Sequence, residues 1–140
     1  MGEFLDKAII IATNAHKGQT DKGGDDYILH PLRVMIKLDT EDERIIGVLH
    51  DVIEDTNTTY DFLREEGFSE KVIEALGCMT RKKEESYMDY IERIKKNQLS
   101  SKVKLADLED NMNISRIKKP TKKDYDRVKK YERAKAILLQ

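Results

Sequence analysis

Apolar residues recur along the chain at the three- and four-residue spacing of helices, and no segment shows sustained strand-like alternation. The first apolar run is broad enough to bury one face of a helix. Glycines and helix-capping residues separate it from the later runs. The pattern predicts one all-helical domain over residues 1–140, a bundle of about seven or eight helices. The predicted helices cover residues 4–16, 31–38, 41–54, 60–66, 69–77, 86–97, 100–114 and 122–139.

The third predicted helix has two unlike faces. With 100° between successive residues, its apolar side chains fall within an arc of roughly 160° and its acidic groups and imidazole within another of about 140°. The apolar set is Ile45, Ile46, Val48, Leu49, Val52 and Ile53, and the polar set is His50, Asp51, Glu54 and Asp55. A solvated acidic face would account for this pattern. A bound cation would also account for it, because so many carboxylates close together otherwise repel one another.

Ligands for such a cation are available here and elsewhere in the chain. Adjacent His50 and Asp51 offer one nitrogen and one oxygen, a mixture that suits Mn, Fe, Co or Zn. His30 precedes a proline, which favours an extended backbone just outside the second helix and lets the imidazole point across at the third. Asp107 shares a helix face with Lys104 and Asn111, a grouping that suits a metal and a phosphate together. It equally suits a surface salt bridge.

The charge and length of the chain narrow the classes of function. Lysine and arginine total 26 and aspartate and glutamate 27, for a net charge of −1, which argues against a general nucleic-acid binder. Residues 118–135 are basic, which has two interpretations. The segment is a solvated helix face, or it is a positive rim that attracts a phosphate-rich ligand. The longest apolar run, residues 8–12, is too short to cross a membrane. Without a secretory signal, and with one cysteine, we predict a cytoplasmic protein with no membrane partner. The oligomeric state is left open.

Three segments together resemble a known family. AHKGQTDKGGDDYILHPLRV, VLHDVIEDT and VKLADLEDNM occur in the order and spacing of the hydrolase domain of the Rel/Spo alarmone enzymes, part of the HD superfamily. Stand-alone small alarmone hydrolases, including the metazoan SpoT homologue, share these segments. The match spans about Phe4 to Met112, and KYERA near Tyr131 resembles the family's closing helix. The resemblance implies an HD-domain fold and removal of the 3′-pyrophosphate from guanosine tetraphosphate (ppGpp), leaving GDP and pyrophosphate.

The resemblance also implies roles for individual residues. The metal ligands would be His30, His50, Asp51 and Asp107. The usual metal of the family is manganese. Glu54 and Asp55 would activate or orient the attacking water. Lys22, Asn111 and Tyr131 match residues of the nucleotide pocket, and Lys22 with Lys104 would neutralise phosphate charge. The expected partner is a small phosphorylated nucleotide.

The chain departs from the family at Asp21, which stands where the family has an arginine that packs against guanine. An acid makes no cation–π contact with a base. Leu108 replaces a residue that is commonly basic. The alternatives are therefore an HD phosphohydrolase for another phosphorylated nucleotide, a non-catalytic sensor of metal and nucleotide, and a helical interaction module. A synthetase domain has no room in residues 1–140, so we expect no alarmone synthesis.

Overall fold

The computed structural model describes residues 2–140 and confirms the all-helical prediction. Within that range there are nine α-helices, one 3₁₀ turn and no strand beyond a single isolated bridge between Thr20 and Asp26. The helices are α1 (Glu3–Ala15), α2 (Leu29–Ile36), α3 (Glu41–Leu49), α4 (Val52–Asp55), α5 (Tyr60–Glu65), α6 (Glu70–Cys78), α7 (Tyr87–Lys95), α8 (Gln98–Met112) and α9 (Lys122–Leu138), and the 3₁₀ turn is Ile114–Arg116. None of the helices described is long and apolar enough to cross a membrane.

The predicted third helix is not continuous to residue 54, so that part of the prediction was wrong. It ends at Leu49, and α4 begins at Val52. No glycine or proline marks the break. Instead the Nδ1 atom of His50 donates to the carbonyl oxygen of Gly47 at 2.5 Å, and the Tyr27 hydroxyl donates to the Asp51 carboxylate. These tertiary and local bonds turn both side chains toward the same point.

Two hydrophobic clusters meet on α8. The larger packs α1, α2, α3 and α6 together and contains the apolar face predicted for the third helix, with Ile53 at its edge. The smaller joins α7, α8 and α9 and contains Tyr90, Leu108 and Ala134. Leu108 is fully buried there, which gives the apolar residue at this position a structural reason. Because α8 lies between both clusters, the side chain of Asp107 has a rigid support on each side.

Helices α2 and α3 approach closely at Gly47. A β-carbon at this position would lie 2.8 Å from Cδ1 of Leu38, closer than real contacts allow. The missing side chain lets α2 pack directly on α3. His30 is the second residue of α2, so the expectation of an extended backbone just outside this helix was wrong. The contact between the two helices brings its ring against that of His50, at the end of α3, with centroids 5.3 Å apart.

The start of α3 makes the folded state sensitive to acid. The Glu43 carboxylate accepts hydrogen bonds from the backbone nitrogens of Asp39 and Thr40 and pairs with Lys102 at 3.2 Å. Burial opposes its charge, but these bonds and the Lys102 cation hold the pKa of Glu43 below its ordinary value of 4.5. A carboxyl with a lowered folded pKa stabilises the fold above its unfolded pKa, and this contribution disappears as the pH falls through the folded pKa.

We therefore expect Glu43→Gln to lower the free energy of unfolding at pH 7 and to lose this deficit progressively below pH 4.5. Urea unfolding of both proteins across this pH range measures the difference. Glu74→Gln, which removes an exposed carboxylate on α6, serves as the control. A deficit that stays constant with pH would contradict the role given to the Glu43 charge.

Candidate metal centre and nucleotide cleft

Four side chains predicted as metal ligands come together from three separate parts of the fold. His30 comes from α2, His50 and Asp51 from the break between α3 and α4, and Asp107 from α8. The Nε2 atoms of His30 and His50 lie 2.9 and 3.2 Å from Oδ1 of Asp107. Oδ2 of Asp51 lies 3.1 Å from Nε2 of His50 and 3.7 Å from Nε2 of His30.

These donor atoms suit a divalent cation. Atoms bound to one ion at about 2.1 Å lie roughly 3.0 to 3.4 Å from one another, close to the separations seen here. His30, His50 and Asp107 are buried and offer ligand atoms that lie within 4.8 Å of one another. Two imidazole nitrogens with carboxylate oxygens match the preferences of Mn, Fe, Co and Zn. His30, His50 and Asp107 therefore fit a metal site by both spacing and chemistry, and Oδ2 of Asp51 lies within 3.7 Å of both imidazole Nε2 atoms.

The site concentrates charge in a buried place. Burial opposes protonation of His50, but the carboxylates of Asp51 and Asp107 outweigh it and hold the pKa of His50 well above its ordinary value. Burial likewise opposes the charge of Asp107, and the Lys104 ammonium with the two imidazoles holds the pKa of Asp107 well below its ordinary value. The carboxylates thus stay ionised and attract positive charge. A metal ion would replace the imidazole protons.

Lys104 and Asn111 flank Asp107 as the helical spacing predicted. Nζ of Lys104 lies 2.8 Å from Oδ2 of Asp107, and Nδ2 of Asn111 donates to Oδ1 at 3.0 Å. The ammonium is buried beside this carboxylate, so the pair is part of the site and not a surface salt bridge.

A second layer of contacts, which the sequence did not reveal, holds His30. Nδ1 of His30 donates to Oδ2 of Asp110 at 2.6 Å, so Nε2 faces Asp107. Asp110 also accepts two hydrogen bonds from Arg33, at 2.8 and 3.1 Å, and is buried. The sequence did contain a signal for this arrangement, because Arg33 follows His30 by three residues and Asp110 follows Asp107 by three residues. Each three-residue spacing places two residues on one helix face.

We expect Asp110→Asn to weaken metal binding about 10- to 100-fold, because the bond that orients His30 loses its charge. Titration calorimetry with Mn²⁺ measures the affinity. Glu109→Gln removes the charge of an exposed neighbour on the same helix and serves as the control. Equal affinities for the wild type and Asp110→Asn would show that the orientation of His30 has another origin.

Glu54 and Asp55 lie on α4, directly after the ligand pair. Both are exposed, and Oε1 of Glu54 accepts a hydrogen bond from the backbone nitrogen of Arg81 at 2.6 Å. The inner part of the Asp55 carboxyl group is partly buried, and this partial burial together with the charge of Asp51 raises the pKa of Asp55. The backbone carbonyl oxygen of Asp55 accepts a hydrogen bond from the side-chain amide of Gln19. Oε1 of Gln19 in turn lies 3.0 Å from Nδ1 of the buried His16. The Glu54 carboxylate is thus held by the backbone of Arg81, and the backbone of Asp55 is held by Gln19.

A cleft of about 420 Å³ opens beside His30. Its wall includes three of the predicted substrate contacts, Lys22, Asn111 and Tyr131. Ile114 and Ile117 give it apolar surface, a combination typical of small-molecule sites. Lys104 is not part of this wall and contacts Asp107 from outside the cleft.

Asp21, where the family has arginine, organises the loop at the rim of this cleft. Its Oδ1 atom accepts hydrogen bonds from the backbone nitrogens of Gly23 and Asp25 at 2.8 and 3.0 Å. Gly24 has a φ of +89°, which favours glycine. The acid therefore closes a tight turn, and the loop presents Lys22 at the rim as its cation.

The comparisons with known proteins agree with the predicted resemblance. No family model matches the chain. A solved structure described as "A metazoan ortholog of SpoT hydrolyzes ppGpp and plays a role in starvation responses" superposes on it with a TM-score of 0.82. The alignment covers 100% of this chain and 87% of that one at 21% identity, which establishes the same all-helical fold.

Two curated relatives are also similar to the chain in sequence. Over 83 residues, 56% of the chain, it is 39% identical to the guanosine-3′,5′-bis(diphosphate) 3′-pyrophosphohydrolase of Aquifex aeolicus (strain VF5), covering 12% of that protein. Over 75 residues, 50% of the chain, it is 43% identical to the bifunctional (p)ppGpp synthase/hydrolase SpoT of Escherichia coli (strain K12), covering 10% of that protein. The chain thus spans about a tenth of the length of these relatives. It resembles the Rel/Spo-type ppGpp hydrolases in sequence and in fold, as its three motifs predicted.

Proposed function

We propose that this chain is a metal-dependent pyrophosphohydrolase that converts ppGpp and water to GDP and pyrophosphate. The observation that carries the proposal is the convergence of the donor atoms of His30, His50, Asp51 and Asp107 between three helical segments. The names of the two relatives, one a 3′-pyrophosphohydrolase and the other a synthase/hydrolase, support the choice of substrate. We also place the reaction in the cytoplasm.

The cofactor we propose is Mn²⁺, held by these four side chains. When bound, the ion supplies positive charge that favours a reactive water at neutral pH and neutralises phosphate oxygens. The buried His30–Asp110 bond keeps one imidazole aimed at the site. Lys104 holds the carboxylate of Asp107 from the other side, so that it stays ionised.

In the reaction, the oxygen of water forms a bond to the phosphorus attached to O3′ of the nucleoside. The bond between this phosphorus and O3′ breaks, and O3′ takes up a proton. We assign removal of the water proton to Glu54 or Asp55, carboxylates fixed on α4 beside the ligand pair. Lys22 and Lys104 stabilise charge on the phosphates, and Asn111 and Tyr131 form the wall against the nucleoside.

A second candidate is hydrolysis of another nucleotide that carries a diphosphate. The observation that favours it is Asp21, whose carboxylate is committed to the turn at residues 21–25, where the family has an arginine against guanine. The same residues would carry out the same bond cleavage. Only the base held in the cleft would differ.

The test is to incubate the purified protein with Mn²⁺ and ppGpp and to separate the products by ion-exchange chromatography. GDP and pyrophosphate that form only with metal would support the main proposal. A parallel panel of other pyrophosphorylated nucleotides tests the second candidate, which predicts faster turnover of one of them. Binding of metal and nucleotide without turnover of any panel member would instead indicate a sensor.

A further inference from the structure

Cations surround an aromatic side chain just outside the cleft. Nζ of Lys130, on α9, lies 4.5 Å from the ring centroid of Tyr87, and the guanidinium carbon of Arg81 lies 5.7 Å from it. Nζ of Lys104 lies 5.3 Å from the ring of Tyr90, which packs on Tyr87 with centroids 5.9 Å apart. Three positive groups from different parts of the chain thus lie around two tyrosine rings that contact each other at a tilt of 58°.

This cationic cluster, Arg81, Lys104 and Lys130 around Tyr87 and Tyr90, has more positive charge than the neighbouring carboxylates balance. Lys130 forms no ion pair with any carboxylate in residues 2–140. Burial, Arg81 and Arg127 lower the pKa of Lys130, so the like charges oppose one another. The Tyr87 hydroxyl is buried and has no hydrogen-bond partner among the residues described. An anion would satisfy both the ammonium and the hydroxyl.

The cluster is connected to the candidate metal centre by two contacts. Lys104 forms the ion pair with Asp107, one of the four candidate ligands. The backbone nitrogen of Arg81 donates to Glu54, one of the two carboxylates assigned to the water proton. Arg81 is held further by a hydrogen bond from its Nε to the carbonyl oxygen of Glu85 at 3.1 Å. An anion bound to the cluster would therefore lie close to the candidate metal centre.

Tyr131 separates the cluster from the cleft. It forms part of the cleft wall, and its ring lies 6.2 Å from that of Tyr87 and 5.2 Å from Nζ of Lys130. The cleft has apolar and amide groups suited to a nucleoside, and its own cations, among them Lys22, Arg116 and Arg127, suit a 5′-diphosphate. The cluster is a separate group of cations around a phenol, which suits a second phosphate group. Tyr131 contacts both regions, and each of them reaches a candidate metal ligand, the cleft at His30 and the cluster through Lys104 at Asp107.

We propose that Arg81, Lys104 and Lys130, grouped around Tyr87 and Tyr90, bind the diphosphate that leaves the substrate. This inference rests on the proposed hydrolysis of a nucleotide diphosphate ester and names the place of its leaving group. The 5′-diphosphate remains on the nucleoside and departs with GDP. Inorganic pyrophosphate and GDP are therefore probes of two different subsites.

The experiment measures inhibition of ppGpp hydrolysis by pyrophosphate and by GDP, at a fixed concentration of free Mn²⁺. The wild type is compared with Lys130→Gln, with Lys130→Arg, which keeps the charge, and with Lys129→Gln, an exposed neighbour with the same charge change. We expect Lys130→Gln to raise the inhibition constant of pyrophosphate about tenfold and to leave that of GDP unchanged. Lys130→Arg and Lys129→Gln should both remain near the wild type.

Three outcomes would overturn the inference. If Lys130→Gln raises the inhibition constant of GDP and leaves that of pyrophosphate unchanged, the cluster binds the 5′-diphosphate instead. Unchanged inhibition by both would show that the cluster binds no part of the substrate. Equal losses in Lys129→Gln and Lys130→Gln would indicate only the general charge of α9.

Failure of the proposed function gives a different result. If the wild type does not hydrolyse ppGpp, calorimetric titration of the Mn²⁺-loaded protein with inorganic pyrophosphate still tests the cluster. Binding that weakens about tenfold in Lys130→Gln but not in Lys129→Gln would support a diphosphate subsite and reject ppGpp as the substrate. Binding that is equal in all three proteins would reject the subsite itself.

Discussion

Asp51→Ala is expected to abolish Mn²⁺ binding at the proposed site and to lower the rate of ppGpp hydrolysis by at least about 10³-fold, since a metal contributes several kcal/mol to such reactions. Asp51 supplies the donor atom 3.1 Å from His50 and 3.7 Å from His30. Without Asp51, Asp107 is the only carboxylate left among the four candidate ligands, and it is already shared with Lys104 and Asn111. Metal analysis of the purified protein and turnover at saturating Mn²⁺ measure the two effects.

Loss of structure has to be separated from loss of the metal in this variant. The Tyr27 hydroxyl donates to Asp51, so the substitution leaves one phenol without its acceptor. Circular dichroism and thermal unfolding in the absence of metal report on the fold, and we expect a two-state transition like that of the wild type. Asp26→Ala, an exposed acid in the neighbouring loop, should change neither metal content nor rate. Turnover of Asp51→Ala at the parent rate would show that the site is assigned wrongly.

Glu54→Gln is expected to keep the metal and to lower the rate about 10²- to 10⁴-fold, the usual contribution of a general base. Glutamine retains an oxygen that can accept from the backbone nitrogen of Arg81, so the loop contact survives and only the charge is lost. Single-turnover rates and Mn²⁺ affinity, measured on the same samples, separate chemistry from metal binding.

Asp55→Asn is the companion measurement, because the two carboxylates are adjacent on α4. A full rate in Glu54→Gln with a large loss in Asp55→Asn would transfer the base role to Asp55. Glu84→Gln, an exposed change in the loop after Arg81, controls for altered charge near the site. If neither Glu54→Gln nor Asp55→Asn slows the reaction, the proton is accepted by another group.

Much of the fold could be predicted from periodicity because burial follows the helical spacing closely. Apart from the end of the third helix, the predicted helix ends agree with the structure to within two residues. The break after Leu49 could not be predicted, since His50 and Asp51 are both compatible with a helix. The helix is interrupted by the hydrogen bond from Tyr27 to Asp51 and by the hydrogen bond from the His50 imidazole to the carbonyl oxygen of Gly47. Local propensity carries no information about such partners.

Part of the candidate site could likewise be predicted from the sequence, and part of it could not. Motif spacing predicted the convergence of His30, His50, Asp51 and Asp107, because family motifs encode which residues share a site. The support of His30 by Asp110 depends on how α2 packs against α8, a distance that the sequence does not give. Lys130 and Arg81 were also not predicted as site residues, because they meet around Tyr87 only once α9 and the loop before α7 are in place.

The candidate ligands are far apart along the chain, and His30 and Asp107 are separated by 77 positions in the sequence. An ion held by both of them binds the folded protein and has no comparable site in the unfolded chain. By mass action, free metal at 100 times its dissociation constant would stabilise the native state by about 2.7 kcal/mol. The supply of metal would then govern how long the protein survives proteolysis as well as how fast it works. A shortage of the ion would lower the abundance of the protein and its activity together.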